Sequence, residues 1–115
     1  MEAFLPYIDI DAGLALLGNN KKLYARLLKS FLATMNFDEL KGLVDGGQLA
    51  EAKDKAHALK GVSGNLHLTK NFLLLKEFEM CLKEGKDFGD VFAELMAAAQ
   101  KTNEEINRLL PLLEG

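Results

Sequence analysis

The two prolines of this chain, Pro6 and Pro111, sit one near each end. Proline removes a backbone donor and breaks helix interiors, so everything between them is free to be helical. Strand signals are nearly absent from that stretch. No β-branched run alternates with polar residues, and Leu, Ala, Lys and Glu dominate. The reading is an all-α chain.

Breakers cut the sequence into five helical segments. A short one covers about 9–17 and closes at Gly18. A long one covers about 20–45, with Asn20 as N-cap. Its apolar stripe is Leu23, Leu27, Leu28, Phe31, Met35, Leu40 and Val44, and the glycines of "DGG" at 45–47 end it. A third segment runs about 48–66. A fourth runs about 69–84, with Thr69 as N-cap and Gly85 as the stop. A fifth runs about 87–113, with Asp87 as N-cap and a stripe through Phe88, Val91 or Phe92, Leu95, Ala99, Thr102, Ile106, Leu109 and Leu113. Four long helices joined by short turns predict an antiparallel four-helix bundle, with the short N-terminal helix as an added lid. The 115 residues, 49% hydrophobic and 27% charged, suit a single domain, 1–115, with a packed core.

Composition also narrows the function classes. A formal net charge of −3 disfavours a nucleic-acid or anionic-membrane partner. No apolar run reaches the roughly 20 residues of a membrane span, and "MEAFLPYIDI" lacks the basic region and apolar stretch of a signal peptide. Cys81 is the only cysteine, which excludes an internal disulfide and suits a reducing cytoplasm.

The third segment holds an anomaly. "KAHALKGVSGNLHL", residues 55–68, carries Gly61 and Gly64 within a helical pattern, and each costs about 1 kcal/mol relative to Ala. At about 100° per residue, Leu49, Ala52, Ala56, Leu59, Ser63 and Leu66 form the buried stripe. His57 then lies about 130° from the centre of that stripe and faces solvent. Gly61 and Gly64 share its outward strip, and Lys60 stands one turn along. The glycines clear the ground around one imidazole, so a partner surface can come close.

A neutral imidazole is a nucleophile that can accept a phosphoryl group and pass it on. Such transfer depends on positioning and on neutralising the transferring oxygens, and Lys60 is spaced to supply positive charge. No Mg²⁺ site is evident beside it, so the metal is expected from the partner. A helical hairpin centred near Leu68 sets position 57 level with Glu79. That carboxylate would accept the Nδ1 proton, orient the ring and leave Nε2 as the nucleophile.

His57, Leu59, Lys60, Gly61, Gly64, Asn65 and Leu66 stand in the register of the histidine phosphotransfer (HPt) domains of two-component phosphorelays, which this sequence resembles. The likeness extends to "LYARLLKSF" (23–31) and "FEMCLKEG" (78–85), and so covers nearly the whole chain. It implies that His57 is phosphorylated, that Lys60, Gly61 and Gly64 are the phosphate-proximal and close-approach residues, and that the domain is a four-helix bundle with one or two extra helices. The implied activity is that of a phosphocarrier rather than an enzyme. His57 would take a phosphoryl group from a receiver-domain phospho-aspartate and hand it to another receiver, with catalytic groups and Mg²⁺ on the partner. The expected partners are response-regulator receivers or a hybrid sensor histidine kinase, with no cofactor of its own, and the short single-motif chain favours a monomer. The sequence departs from the family at His67, where a glycine usually follows the aliphatic residue.

Other readings stand beside this one. A phosphoacceptor domain of a chemotaxis-type histidine kinase would carry the same motif. A helical adaptor or inhibitor would bind the same partners without phosphorylation. A metal-binding bundle comes third, since no Glu-x-x-His pairs are present and ten residues from His57 to His67 is not a zinc spacing. His67 reads as a helix-end histidine and Cys81 as a small, core-facing or half-buried residue. "GNNKK" (18–22) reads as a cap with solvated lysines. "FLLL" (72–75) exceeds what one buried face needs and suggests an apolar docking patch.

Overall fold

A computed structural model describes residues 7–34 and 37–114. These residues are helical and include no strand. The helices are α1 (Ile10–Leu16), α2 (Lys21–Thr34), α3 (Phe37–Asp45), α4 (Leu49–Asn65), α5 (Thr69–Glu84) and α6 (Gly89–Glu114). Among the described residues, no helix is long and apolar enough to cross a membrane. Helix α4 packs on α5 and α3, α6 packs on α5 and α2, and α1 lies against α2.

Of the helical segment expected over 20–45, the described residues form α2 and α3 and are helical on both sides of 35–36. Phe31 of α2 and Phe37 of α3 are both buried and meet edge to face at 6.4 Å. Met35, placed on the apolar stripe by spacing, lies outside the described residues.

Most other boundaries follow local chemistry. Asp9 caps α1, its Oδ1 accepting from the Ala12 amide at 3.1 Å. Asn20 Oδ1 accepts from the Leu23 amide at 3.0 Å, which caps α2. Gly85 ends α5 in the left-handed region at φ 70°. The cap of α5 is Leu68 rather than Thr69, with no side-chain cap bond. Asp87 Oδ1 receives the Gly89 amide at 3.0 Å at the head of α6. On α4, Ala52, Ala56, Leu59, Ser63 and Leu66 are buried, whereas Leu49, placed on the same stripe by spacing, is exposed in the first turn. In the core, the buried Thr102 hydroxyl donates to Asn71 Oδ1 at 3.2 Å, linking α6 to α5.

The turn between α4 and α5 sets His57 against its neighbours on α5. His67 adopts φ 58° where a glycine would be unstrained. Its amide donates to the Gly64 carbonyl at 3.2 Å, and the Leu68 amide donates to the Ser63 carbonyl at 2.8 Å. Those two bonds are the Schellman pattern, so the helix closes as a glycine-capped one would. Two further bonds brace the turn. The Tyr24 hydroxyl donates to the Leu66 carbonyl at 2.7 Å, and the Asp9 amide donates to the His67 carbonyl at 2.9 Å. Tyr24 is fully buried. Its ring crosses α1 at Gly13, where a Cβ would sit 2.6 Å from the hydroxyl oxygen, so only glycine fits there. Burial, and secondarily the charge of Asp9, push the Tyr24 hydroxyl up to about 12 from 10.0.

His67→Gly should stabilise the fold by about 1 kcal/mol in urea unfolding, because it relieves the left-handed strain of a residue with a Cβ. An unchanged or lower midpoint would contradict the strained turn. Tyr24→Phe should lose about 1–2 kcal/mol by leaving the Leu66 carbonyl without its donor. A raised folded-state value means that the Tyr24 contribution is intact below its ordinary 10.0 and is lost as pH rises toward about 12. The gap between wild type and Tyr24→Phe should therefore narrow over that alkaline range, and a constant gap would refute the assignment.

Candidate functional site

Register through the turn brings α4 and α5 together side by side. Positions 57 and 79 lie equally far from Leu68 along the chain, and the structure joins them: His57 Nδ1 is 3.0 Å from Glu79 Oε2. The imidazole is 70% exposed, while the Glu79 side chain is only 19% exposed. A half-buried carboxylate therefore grips the inner nitrogen of an imidazole that stands in solvent. With a carboxylate as acceptor, Nδ1 carries the proton in the neutral ring, and the lone pair is on Nε2.

Lys60 lies one turn along α4 and approaches the same carboxylate. Its Nζ is 2.9 Å from Glu79 Oε1, with the Lys60 side chain 24% exposed. Each oxygen of Glu79 thus has its own partner. Burial alone would raise the Glu79 carboxyl, but the contacts from Lys60 and His57 outweigh it and hold the group below the ordinary carboxylate range. Spacing along α4 predicts positive charge near the imidazole. It does not disclose that Lys60 is paired to the residue that orients the imidazole.

The two glycines differ. Gly61 is exposed, and a Cβ there would meet nothing within 4 Å among the described residues. Its surface is bare, as the angular reading expects. Gly64 is half-buried, and a Cβ there would lie 3.2 Å from Cδ1 and Cε1 of Phe72. The outward strip is therefore open at Gly61, but the Phe72 ring of α5 borders it at Gly64. The missing side chain at Gly64 serves the α4–α5 packing. The position of Gly64 on the α4 surface does not by itself disclose the ring of the neighbouring helix.

The remaining candidates spread over the surface. In "FLLL", Leu74 and Leu75 are buried, Phe72 is half-buried, and Leu73 is exposed. Met80, the residue after Glu79, is also exposed. Cys81 is a half-buried free thiol. His67 is held in the turn by its backbone and is not brought to His57. Among the described residues, no three His, Cys, Asp or Glu side chains gather in a metal-binding group. Comparison with protein-family models, with curated proteins and with solved structures gives no match.

Replacement of Glu79 tests the geometry directly. Nitrogen-15 NMR of the imidazoles should find neutral His57 mainly protonated on Nδ1 in the wild type, and shifted toward the Nε2-protonated form in Glu79→Ala. The same tautomer ratio in both proteins would exclude the contact. Because the Glu79 carboxyl is lowered on folding, its contribution to stability is present above the unfolded carboxylate value and lost as pH falls through the folded one. Glu79→Gln should flatten that acid limb of the stability curve.

Proposed function

We propose that the protein is a phosphocarrier that accepts a phosphoryl group on His57 and passes it on. The observation that carries this reading is the contact of His57 Nδ1 with Glu79 Oε2 at 3.0 Å, on a ring that is 70% exposed. It prepares the tautomer in which Nε2 holds the lone pair and the outer edge of the ring is open to a partner.

In this reading, a receiver domain carrying an aspartyl phosphate docks over the bare surface at Gly61. The Nε2 lone pair attacks phosphorus, the bond from phosphorus to the aspartate oxygen breaks, and the partner's carboxylate leaves with the electron pair. The Nδ1 proton stays in its hydrogen bond, and Glu79 balances the positive charge that develops on the ring. The reverse sequence delivers the phosphoryl group to a second receiver. The partner supplies Mg²⁺ and the remaining catalytic groups. Lys60, within reach of the same carboxylate, adds a cation near the transferring oxygens.

The resemblance to histidine phosphotransfer domains supports the same assignment. It adds the finer architecture: an antiparallel four-helix bundle of α2 with α3, α4, α5 and α6, to which α1 is an extra short helix. A cytoplasmic, monomeric working form fits the single cysteine and the short, single-motif chain.

Incubation with phosphorylated receiver domains from the same genome should label the protein with an acid-labile, base-stable phosphate. His57→Gln should abolish that label, and full label in this variant would overturn the assignment.

A further inference from the structure

Beside the imidazole, an open cleft of about 250 Å³ lies along α5, lined by Lys76, Glu79, Met80, Lys83 and Glu84, with Lys60 of α4 at its edge. It shares Lys60 and Glu79 with the contact to His57. Its charges are unequally matched. Glu79 is engaged by His57 and Lys60, and Glu84 pairs with Lys86 at 3.0 Å. Among the described residues, Lys76 and Lys83 have no carboxylate partner. They stand two turns apart on α5, with Met80 exposed between them. The uncompensated charge of the cleft is therefore positive, and its inner wall is the carboxylate that holds His57.

We propose that this cleft binds an oxyanion, a carboxylate or phosphate group, and that its occupant reports to His57 through Lys60 and Glu79. The site stands beside the histidine of the reading above and, under that reading, takes an acidic group of the docking partner. An anion between Lys76 and Lys83 competes with Glu79 Oε1 for the Lys60 ammonium. Lys60 and Glu79 are 24% and 19% exposed, so their attraction is less screened than that of a fully exposed pair. A carboxylate that loses one of two partners accepts more strongly from the other. Occupancy would thus tighten the hold of Glu79 on the Nδ1 proton and make the ring a stronger nucleophile at Nε2. Partner docking and activation of the imidazole would then be one event.

The experiment is an NMR titration of the unphosphorylated protein at one fixed pH, with inorganic phosphate and, separately, a tetraglutamate peptide. Sodium chloride at matched ionic strength is the control. The lysine side-chain signals of Lys76 and Lys83 and the imidazole nitrogens of His57 should move along one saturable curve with at least one probe. In Lys76→Ala/Lys83→Ala the affinity should fall at least tenfold. Both lysines are exposed, so this variant should fold, which its circular dichroism would check. Saturation by both probes assigns the shared oxyanion chemistry. Saturation by the peptide alone assigns a carboxylate, and by phosphate alone a phosphate group. The proposal is overturned if neither probe saturates, if the double variant titrates like wild type, if chloride reproduces the shifts, or if the lysine signals saturate while His57 does not move. No phosphorylation is involved, so this result is independent of whether His57 accepts a phosphoryl group.

Discussion

The left-handed turn at His67 is the constraint on which the rest depends. One residue at φ 58° closes α4 with a Schellman pair and starts α5 at once. That fixes the register of the hairpin, and register alone decides which α5 side chain faces position 57. A slip of one residue would rotate α5 by about 100° and carry Glu79 away from the imidazole. The turn is braced accordingly. The Tyr24 hydroxyl and the Asp9 amide each donate to one of its carbonyls. Gly13 exists in a form that lets Tyr24 reach across α1. Helix α1 and the head of α2 thereby act on a site to which they contribute no side chain.

The site itself is an electrostatic arrangement around one carboxylate. Glu79 is mostly sheltered, has a partner on each oxygen, and is held below the ordinary carboxylate range. It remains charged at neutral pH and can stabilise positive charge on the ring whenever that charge develops. The imidazole, by contrast, is exposed, and the helix surface one turn away is bare at Gly61. A rigid inner half and an open outer half suit a group that must meet reactive centres on other proteins. The helix propensity given up at Gly61, about 1 kcal/mol, is consistent with that use, since none of the described residues occupies the space.

Much of this was legible in the residues. Periodicity identifies the buried stripe of α4 from Ala52 to Leu66, and with it the outward direction of His57. Glycine chemistry locates the end of α5 at Gly85. Counting through the hairpin points to Glu79. What escaped depends on contacts between elements. The stripe over 20–45 places Phe31 in the core, but its edge-to-face contact with the buried Phe37 is seen only in three dimensions. A helical wheel of α4 alone treats Gly61 and Gly64 alike, until Phe72 is found against one of them. Lys60 is one turn from His57 in any helix, but its pairing with Glu79 needs the rotation of α5. Nothing local in "NLHL" announces that His67 would take the left-handed position, although histidine is among the residues that tolerate it.

The most direct test of the central claim is the site of phosphorylation at atomic level. The nitrogen-15-labelled protein can be phosphorylated with phosphoramidate and the phosphorus-to-nitrogen coupling read by NMR. The account predicts a single N–P bond on Nε2 of His57, with Nδ1 still protonated and hydrogen-bonded to Glu79. Phosphorus on Nδ1 of His57, or on His67, would contradict it.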